Sequence, residues 1–326
     1  MAVSNRTIVS LGELLIDFVP QTNGLPLSQV EGFQRAAGGA PANVAAAVAK
    51  LGGKSRFIGK VGRDAFGEYL RGTLEAVGVE AALIETDEAR TCLAFVSLRA
   101  DGERDFLFYR EPSADILLRA GEIREEWIRD AAVFHFGSVS LANEPCRTAT
   151  LETARRAREH GALISFDPNV RLPLWPGEER AKREILEAMP LADVVKVSEE
   201  EAVFLSGKDV HAGARQLLEY GPRIIVVTMG AQGCRVVTRR ADFHVPGIRV
   251  RAVDTTGAGD AFVGGMLYRL AALHLQAAEI EDRCSDGEFA KDVFRFANCV
   301  GALATTGRGA IPSLPAMAEV EKVLEQ

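Results

Sequence analysis

Asp254-Thr255-Thr256-Gly257-Ala258-Gly259-Asp260-Ala261-Phe262 runs straight into an apolar helical pattern over residues 263–270. Small residues ahead of a helix let backbone N–H groups approach an anion, and the helix dipole favours negative charge there. An aspartate at the edge of such a site is placed to take a proton from a nucleophile attacking a phosphoryl group. The plainer alternative is that Asp260 only complements the dipole in a first helical turn. Two threonines, a second aspartate and two close glycines within the same segment weigh against it.

A second segment, Ala37-Gly38-Gly39-Ala40-Pro41-Ala42-Asn43-Val44, continues as an Ala-rich helical pattern to Leu51. Pro41 suits a first helical turn, and Gly38-Gly39 lets a ligand approach the backbone. Asn43 then offers a donor and an acceptor suited to a polyol hydroxyl. Tight helix packing, which wants the same small residues, is the competing explanation.

Around these segments, short apolar runs alternate with helical patterns. Residues 8–11, 56–58, 132–136, 162–166, 194–197 and 224–228 read as buried strands, and 41–51, 64–77, 146–160, 178–189, 209–219, 258–275 and 286–306 as helices. That alternation predicts an α/β fold with a largely parallel sheet covered by helices. No repeat or low-complexity linker divides it, so residues 1–326 are expected to form one unit. Residues 91–110 depart from the rule: two β-rich runs flank Asp101-Gly102, a hairpin turn signal. Leu93 and Phe95 are expected to share an apolar face with Phe106 and Phe108. With residues 13–36 this hairpin predicts a small β-rich appendage from two insertions, serving as a lid or a dimer surface.

Two familiar phosphate motifs fail. Gly53-Lys54-Ser55 resembles the end of a Walker A loop, but Val48 stands where its first glycine belongs, and the segment follows a helix instead of a strand. Gly257-Ala258-Gly259 is not a dinucleotide fingerprint, because Phe262 occupies the third glycine position. Ser198-Glu199-Glu200-Glu201 reads first as a capping box and second as an acidic cluster able to hold hydrated magnesium. Thr228-Met229-Gly230-Ala231-Gln232-Gly233 is either a hairpin turn or the lining of a nucleotide pocket. Arg171, after the strand ending at Phe166, could clamp phosphate or sugar oxygens or pair with a carboxylate. His135 is read as a core histidine.

Composition bounds the partners. The 326 residues are 47% hydrophobic and 25% charged, with 38 basic against 45 acidic side chains and a net charge of −7. This disfavours a nucleic-acid or anionic-membrane partner. No apolar run reaches the length of a membrane span. Glu13 and Asp17 interrupt the N-terminal apolar run, which argues against a secretory leader. Cys92, Cys146, Cys234, Cys284 and Cys299 are odd in number and lack Cys-x-x-Cys spacing, as expected of free thiols in a cytoplasmic protein.

The chain resembles the ribokinase-like (phosphofructokinase B type) carbohydrate kinases, and within them the fructokinases. The likeness rests on Leu11-Gly12-Glu13-Leu14-Leu15-Ile16-Asp17-Phe18, the Gly-Gly segment at 38–62 and the segment 254–262, the last two matching the family's two signatures. Residues 101–110, 167–175 and Lys196-Val197-Ser198 are particularly fructokinase-like. The resemblance implies a ribokinase-like fold and roles for the matching positions. Asp17, Gly38, Gly39 and Asn43 would hold sugar hydroxyls, with Arg110 and Arg171 nearby. Asp260 would be the catalytic base and the amides of Gly257, Ala258 and Gly259 the anion hole. Lys196, Thr228, Gly230, Gly233 and Asn298 would line the ATP site, and Glu201 would hold Mg2+ through water. Asp254, Thr256, Ala304, Gly309 and Ser313 match positions that bind K+ in relatives. A homodimer through the β lid is implied as well. One departure stands out: Ser198 replaces the asparagine common in the wider family.

The expected activity is ATP-dependent phosphorylation of fructose to fructose 6-phosphate. The enzymatic alternative is 2-keto-3-deoxygluconate kinase, whose carboxylate Arg110 and Arg171 could serve. Other ribokinase-like sugar or nucleoside kinases rank below it. A catalytically silent, kinase-like regulatory protein is the non-enzymatic alternative, disfavoured because Asp260, Gly257, Gly259 and Glu201 are all retained.

Overall fold

The computed structural model describes residues 6–22, 24–98, 104–273 and 277–325. Its strands are β1 (Thr7–Leu11), β2 (Leu15–Pro20), β3 (Phe33–Gly38), β4 (Ser55–Gly62), β5 (Glu80–Thr86), β6 (Leu93–Leu98), β7 (Arg104–Tyr109), β8 (Ala131–Gly137), β9 (Leu163–Asp167), β10 (Val194–Ser198), β11 (Ile224–Thr228), β12 (Gly233–Val237) and β13 (Asp242–Pro246). The α-helices are α1 (Ala40–Lys50), α2 (Ala65–Ala76), α3 (Cys146–Glu159), α4 (Glu178–Ala188), α5 (Glu199–Ser206), α6 (Val210–Glu219), α7 (Ala258–Ala271), α8 (Ala277–Ser285), α9 (Gly287–Ala304) and α10 (Met317–Leu324).

Nine strands form the main sheet in the order β13-β12-β11-β10-β9-β8-β1-β4-β5, with every pairing parallel except the antiparallel β11–β12 and β12–β13. Both faces are covered, and the alternation along each strand decides which residue meets which helix layer. On β11, Ile225 and Val227 pack with α3, α4, α5 and α6, while Ile224 and Val226 pack with α1, α7, α8 and α9. Sequence order reverses between β1 and β8, since β4 lies on one side of β1 and β8 on the other. Ligands in open α/β sheets bind beyond the strand carboxyl ends at such a reversal.

The second sheet has the order β3-β2-β6-β7. Its β2 runs antiparallel to β3 and parallel to β6, and β6 is antiparallel to β7. The expected hairpin face is corrected by the register: Leu93 pairs with Tyr109, Ala94 with Phe108 and Phe95 with Leu107. Directly opposed residues share a face, so Phe95 lies with Leu107 and Tyr109, and Phe108 with Ala94. Phe18 stacks on Phe95 at 4.7 Å between centroids, with Phe33 and Tyr109 edge-on to Phe95 at 5.2 and 5.6 Å. The Asp101-Gly102 turn lies outside the described residues.

Candidate active site

Two helix starts meet at the sheet reversal. Gly264 of α7 packs so tightly on α1 that a Cβ there would sit 2.4 Å from the Ala47 Cβ. The close crossing brings Asn43, in the first turn of α1, to Asp260, in the first turn of α7, and Asn43 Nδ2 donates to Asp260 Oδ2 at 2.8 Å. Both residues are buried. Asn43 Oδ1 is buried without a hydrogen-bond partner among the described residues. Gly257 caps α7 with φ +76°, a conformation suited to glycine, and a Cβ on it would meet that of Ala310 at 2.7 Å. No side chain caps this helix end. Ala258 N–H, expected in the anion hole, is instead taken by the Thr255 carbonyl at 3.2 Å, which leaves the N–H groups of Gly259 and Asp260 in the first turn for an anion.

Asp17 stands on β2 facing the same place. Its carboxylate occupies the space where Gly38 lacks a side chain, since a Cβ on Gly38 would lie 2.1 Å from Asp17 Oδ2. Gly39, at φ +113°, passes as closely over the Glu13 carbonyl oxygen, at 2.3 Å from a built Cβ. Burial lifts the Asp17 carboxyl to about 6 against the pull of Arg171, and Asp260 adds to the rise. Burial also lifts Asp260 to about 6; the Asn43 hydrogen bond, Lys196 and Arg171 oppose this and Asp167 reinforces it. A pair of acids is therefore held part-protonated just below neutral pH, in the range a general base needs.

Lys196 lies beneath the α7 terminus. Its Nζ is 3.1 and 3.3 Å from the two oxygens of buried Asp167, and 3.2 Å from where a Gly259 Cβ would be. The strand register makes this pair: β9 and β10 match Phe166 with Val195, so Asp167 and Lys196 fall opposite one another. Behind them His135 lies buried, its Nδ1 3.0 Å from Ser165 Oγ, and burial together with Lys196 lowers it to about 3. It is the neutral core histidine the sequence suggested.

The other expected residues divide by location. Glu201 accepts from Ser198 N–H at 2.8 Å and Val170 N–H at 2.7 Å, so its carboxylate fastens the loop carrying Arg171 to the start of α5. Ser198 is the N-cap in a complete capping box. Arg171 is exposed, and its Nη1 donates to the Val170 carbonyl. Arg110 is buried and committed to Asp115, with Nε and Nη2 both 2.8 Å from Oδ2, while Nη2 also reaches the Val139 carbonyl. Thr228 closes β11, where its hydroxyl donates to the Val197 carbonyl. Gly230 and Gly233 frame the turn between antiparallel β11 and β12. Asn298 of α9 donates to the Val245 and Pro246 carbonyls. Asp254 accepts from Thr256 N–H and Oγ1 at 2.9 and 2.7 Å and from Gly309 N–H at 2.9 Å. Ser313 Oγ donates to the Gly309 carbonyl in the segment that follows Ala304, the last residue of α9.

Three functional candidates went unseen in the sequence. Glu13 accepts from Ala40 N–H at 2.9 Å, Asp167 holds Lys196, and Asp115 holds Arg110. An acid in or at the end of an apolar run was the signal for Glu13 and Asp167, while their partners follow from packing and strand register.

The site defines a class, and the comparisons agree with it. The chain belongs to the pfkB family of carbohydrate kinases, whose family model matches residues 5–317. It is accordingly a phosphotransferase acting on a sugar hydroxyl. Among individual proteins, the chain is 49% identical to the probable fructokinase-4 of Arabidopsis thaliana, covering 100% of this chain and 99% of that protein. Among solved structures it is similar to the Xylella fastidiosa fructokinase with bound ATP, at 42% identity and a TM-score of 0.91 with 98% of each chain covered. A double mutant of the Vibrio cholerae O395 fructokinase, solved with fructose, ADP and a potassium ion, gives 36% identity and a TM-score of 0.87 over 99% of this chain and 100% of that one. The ribokinase-like expectation for the fold is met. These relatives do not support the 2-keto-3-deoxygluconate alternative.

Proposed function

We infer that the chain transfers the γ-phosphoryl group of ATP to the primary hydroxyl of fructose, giving fructose 6-phosphate and ADP. The observation that carries this reading is the Asn43–Asp260 hydrogen bond at the uncapped start of α7, in a chain close to fructokinases over its whole length. Asp17, Asn43 and the backbone at Gly38 and Gly39 hold the sugar hydroxyls; the unpartnered Asn43 Oδ1 suits a hydroxyl donor. Asp260 takes the proton of the primary hydroxyl. That oxygen bonds to the γ-phosphorus as the bond to the β–γ bridging oxygen breaks. The N–H groups of Gly257 and Gly259 and the ammonium of Lys196 meet the charge on the transferring group, so catalysis is positioning and electrostatics. Arg171 steadies the acids and the phosphoryl oxygens, and Arg110 supports the sugar pocket from behind. Thr228, Gly230, Gly233 and Asn298 line the side where the nucleotide lies.

No cluster of three or more His, Cys, Asp or Glu ligands occurs among the described residues. That suits Mg2+, which keeps most of its waters and takes one or two carboxylates plus substrate phosphates. Glu201 would hold it through water, where it would neutralise phosphate charge. Asp254, Thr256, Ala304, Gly309 and Ser313 would hold K+; the Vibrio relative carries a potassium ion, and Asp254 is already tied to Gly309 here. The whole chain acts as one unit, with residues 13–36 and 91–110 as the lid. Tyr109 and Leu107 are 60% and 44% exposed on the aromatic face of the small sheet, which supports a homodimer through the lids. Five buried free thiols suit the cytoplasm.

The test is ADP release across fructose, 2-keto-3-deoxygluconate, ribose, tagatose and adenosine, with and without magnesium. Fructose should exceed the rest and require the metal. Turnover of another sugar well above fructose would overturn the assignment.

A further inference from the structure

We propose that Glu13 is a positioning residue for phosphoryl transfer: from the turn after β1 it holds the first turn of α1, and through Asn43 on that turn it sets the hydrogen bond to Asp260. The proposal rests on Asp260 acting as the base.

Helix α1 has no local cap. Gly39 at its N-cap carries no side chain, and Pro41 has no N–H. Asn43 N–H is taken by the Gly39 carbonyl at 2.9 Å. The Ala40 N–H is taken by Glu13 Oε1, 27 residues back in the chain. Glu13 and Gly39 are also in backbone contact, as the 2.3 Å approach of a Gly39 Cβ to the Glu13 carbonyl shows. Displacing Glu13 therefore displaces the segment that carries Asn43, and Asn43 Nδ2 is the group on Asp260 Oδ2.

Ion pairing does not account for an acid here. Glu13 is 5% exposed, and its Oε2 is buried with no hydrogen-bond partner among the described residues. Its charged neighbours are Arg110, already forked onto Asp115, and Asp115 itself, with the Cys92 and Cys146 thiols kept neutral by burial. Burial accordingly lifts the Glu13 carboxyl to about 7. What the side chain supplies is reach and an acceptor oxygen.

Two variants separate reach from charge. Glu13→Gln keeps the reach and an acceptor oxygen; Glu13→Asp keeps the charge and falls short of Ala40. With fructose and ATP, Glu13→Gln should keep kcat within about threefold of wild type with the acid limb of its pH profile unmoved. Glu13→Asp should lose about tenfold in kcat, the order of cost set by small misplacements near the chemistry. Its acid limb should rise by about half a unit or more, because the weakened Asn43 bond is one that lowers Asp260, whose other charged neighbours are Asp167, Lys196, Arg171 and Asp17. The KM for ATP should stay within about twofold. Hydrogen exchange reads the contact without turnover: the Ala40 amide should lose protection in Glu13→Asp and keep it in Glu13→Gln. A normal Glu13→Asp, or impairment confined to Glu13→Gln, overturns the proposal. If Glu13→Asp does not fold, Glu13→Met, which keeps the reach but has no acceptor oxygen, takes its place under the same limits. A wild type that phosphorylates a different sugar refutes the fructose reading and leaves this test to run on that sugar.

Discussion

Replacing Asn43 with valine removes one donor from Asp260 while keeping the side chain's approximate size. Burial holds the Asp260 carboxyl at about 6 and the Asn43 bond is the largest influence pulling it down. A hydrogen bond to a charged group contributes about 1.5–3 kcal/mol, which at about 1.4 kcal/mol per pH unit moves the carboxyl up by about one to two units. At pH 6 the wild-type Asp260 carboxyl is about half ionised, whereas the variant's would be about a tenth or less. At pH 9 both are ionised. Asn43→Val also loses the proposed sugar contact, but that loss is common to all pH values above the limb. The discriminating quantity is therefore the ratio of wild-type to variant kcat at saturating fructose and ATP, followed by ADP release from pH 5.5 to 9. It should grow about fivefold or more as the pH falls from 9 to 6. A ratio that stays flat across that range would remove Asn43 from control of Asp260 and detach Asp260 from the acid limb.

Asp260→Asn should lower turnover by about 10² or more without lowering Tm. The Asp260 carboxyl rises from 3.8 to about 6 on folding, so the native state binds the proton more tightly and stability falls as pH climbs through that window. The variant should thus gain up to about 3 kcal/mol over wild type at pH 8 and nothing at pH 4, by denaturant melts at both. Lys196→Met strands Asp167 in the interior and should cost about 3–5 kcal/mol. Adding Asp167→Asn should recover much of that stability in the same melts but none of the turnover; full recovery of turnover would exclude Lys196 from the chemistry.

How much of this was legible depends on what each residue answers to. Strands buried on both faces read as unbroken apolar runs, and β11, Ile224–Thr228, was visible for that reason. In the edge strand β5 the apolar run at 81–84 is only four residues long, half alanine and bounded by Glu80 and Glu85, and so gave a weak strand signal. Short, charged α8 and terminal α10 gave too little pattern to register. The hairpin face was misjudged because its parity depends on a turn register that composition does not encode. In the Ala-rich start of α1, ligand approach and tight packing looked like competitors; the Gly264–Ala47 crossing is what brings Asn43 to Asp260. Arg110 could be marked as a placed cation, yet its capture by Asp115 depends on where the chain after β7 folds back. Buried acids such as Glu13 and Asp167 find their partners across strands or helix starts, and single-sequence spacing does not carry that information.

Glu201 has one carboxylate and two attachments, Ser198 at the start of α5 and Val170 beside Arg171. A ligand that draws on this carboxylate from the nucleotide side must therefore strain or release the loop that steadies Asp17 and Asp260. Thermodynamic linkage makes the effect mutual: whatever factor such a ligand applies to sugar affinity, sugar applies to the affinity of that ligand. If the nucleotide draws on Glu201 in this way, the two substrates are tied through a single side chain, and binding of either alone should overestimate binding of both.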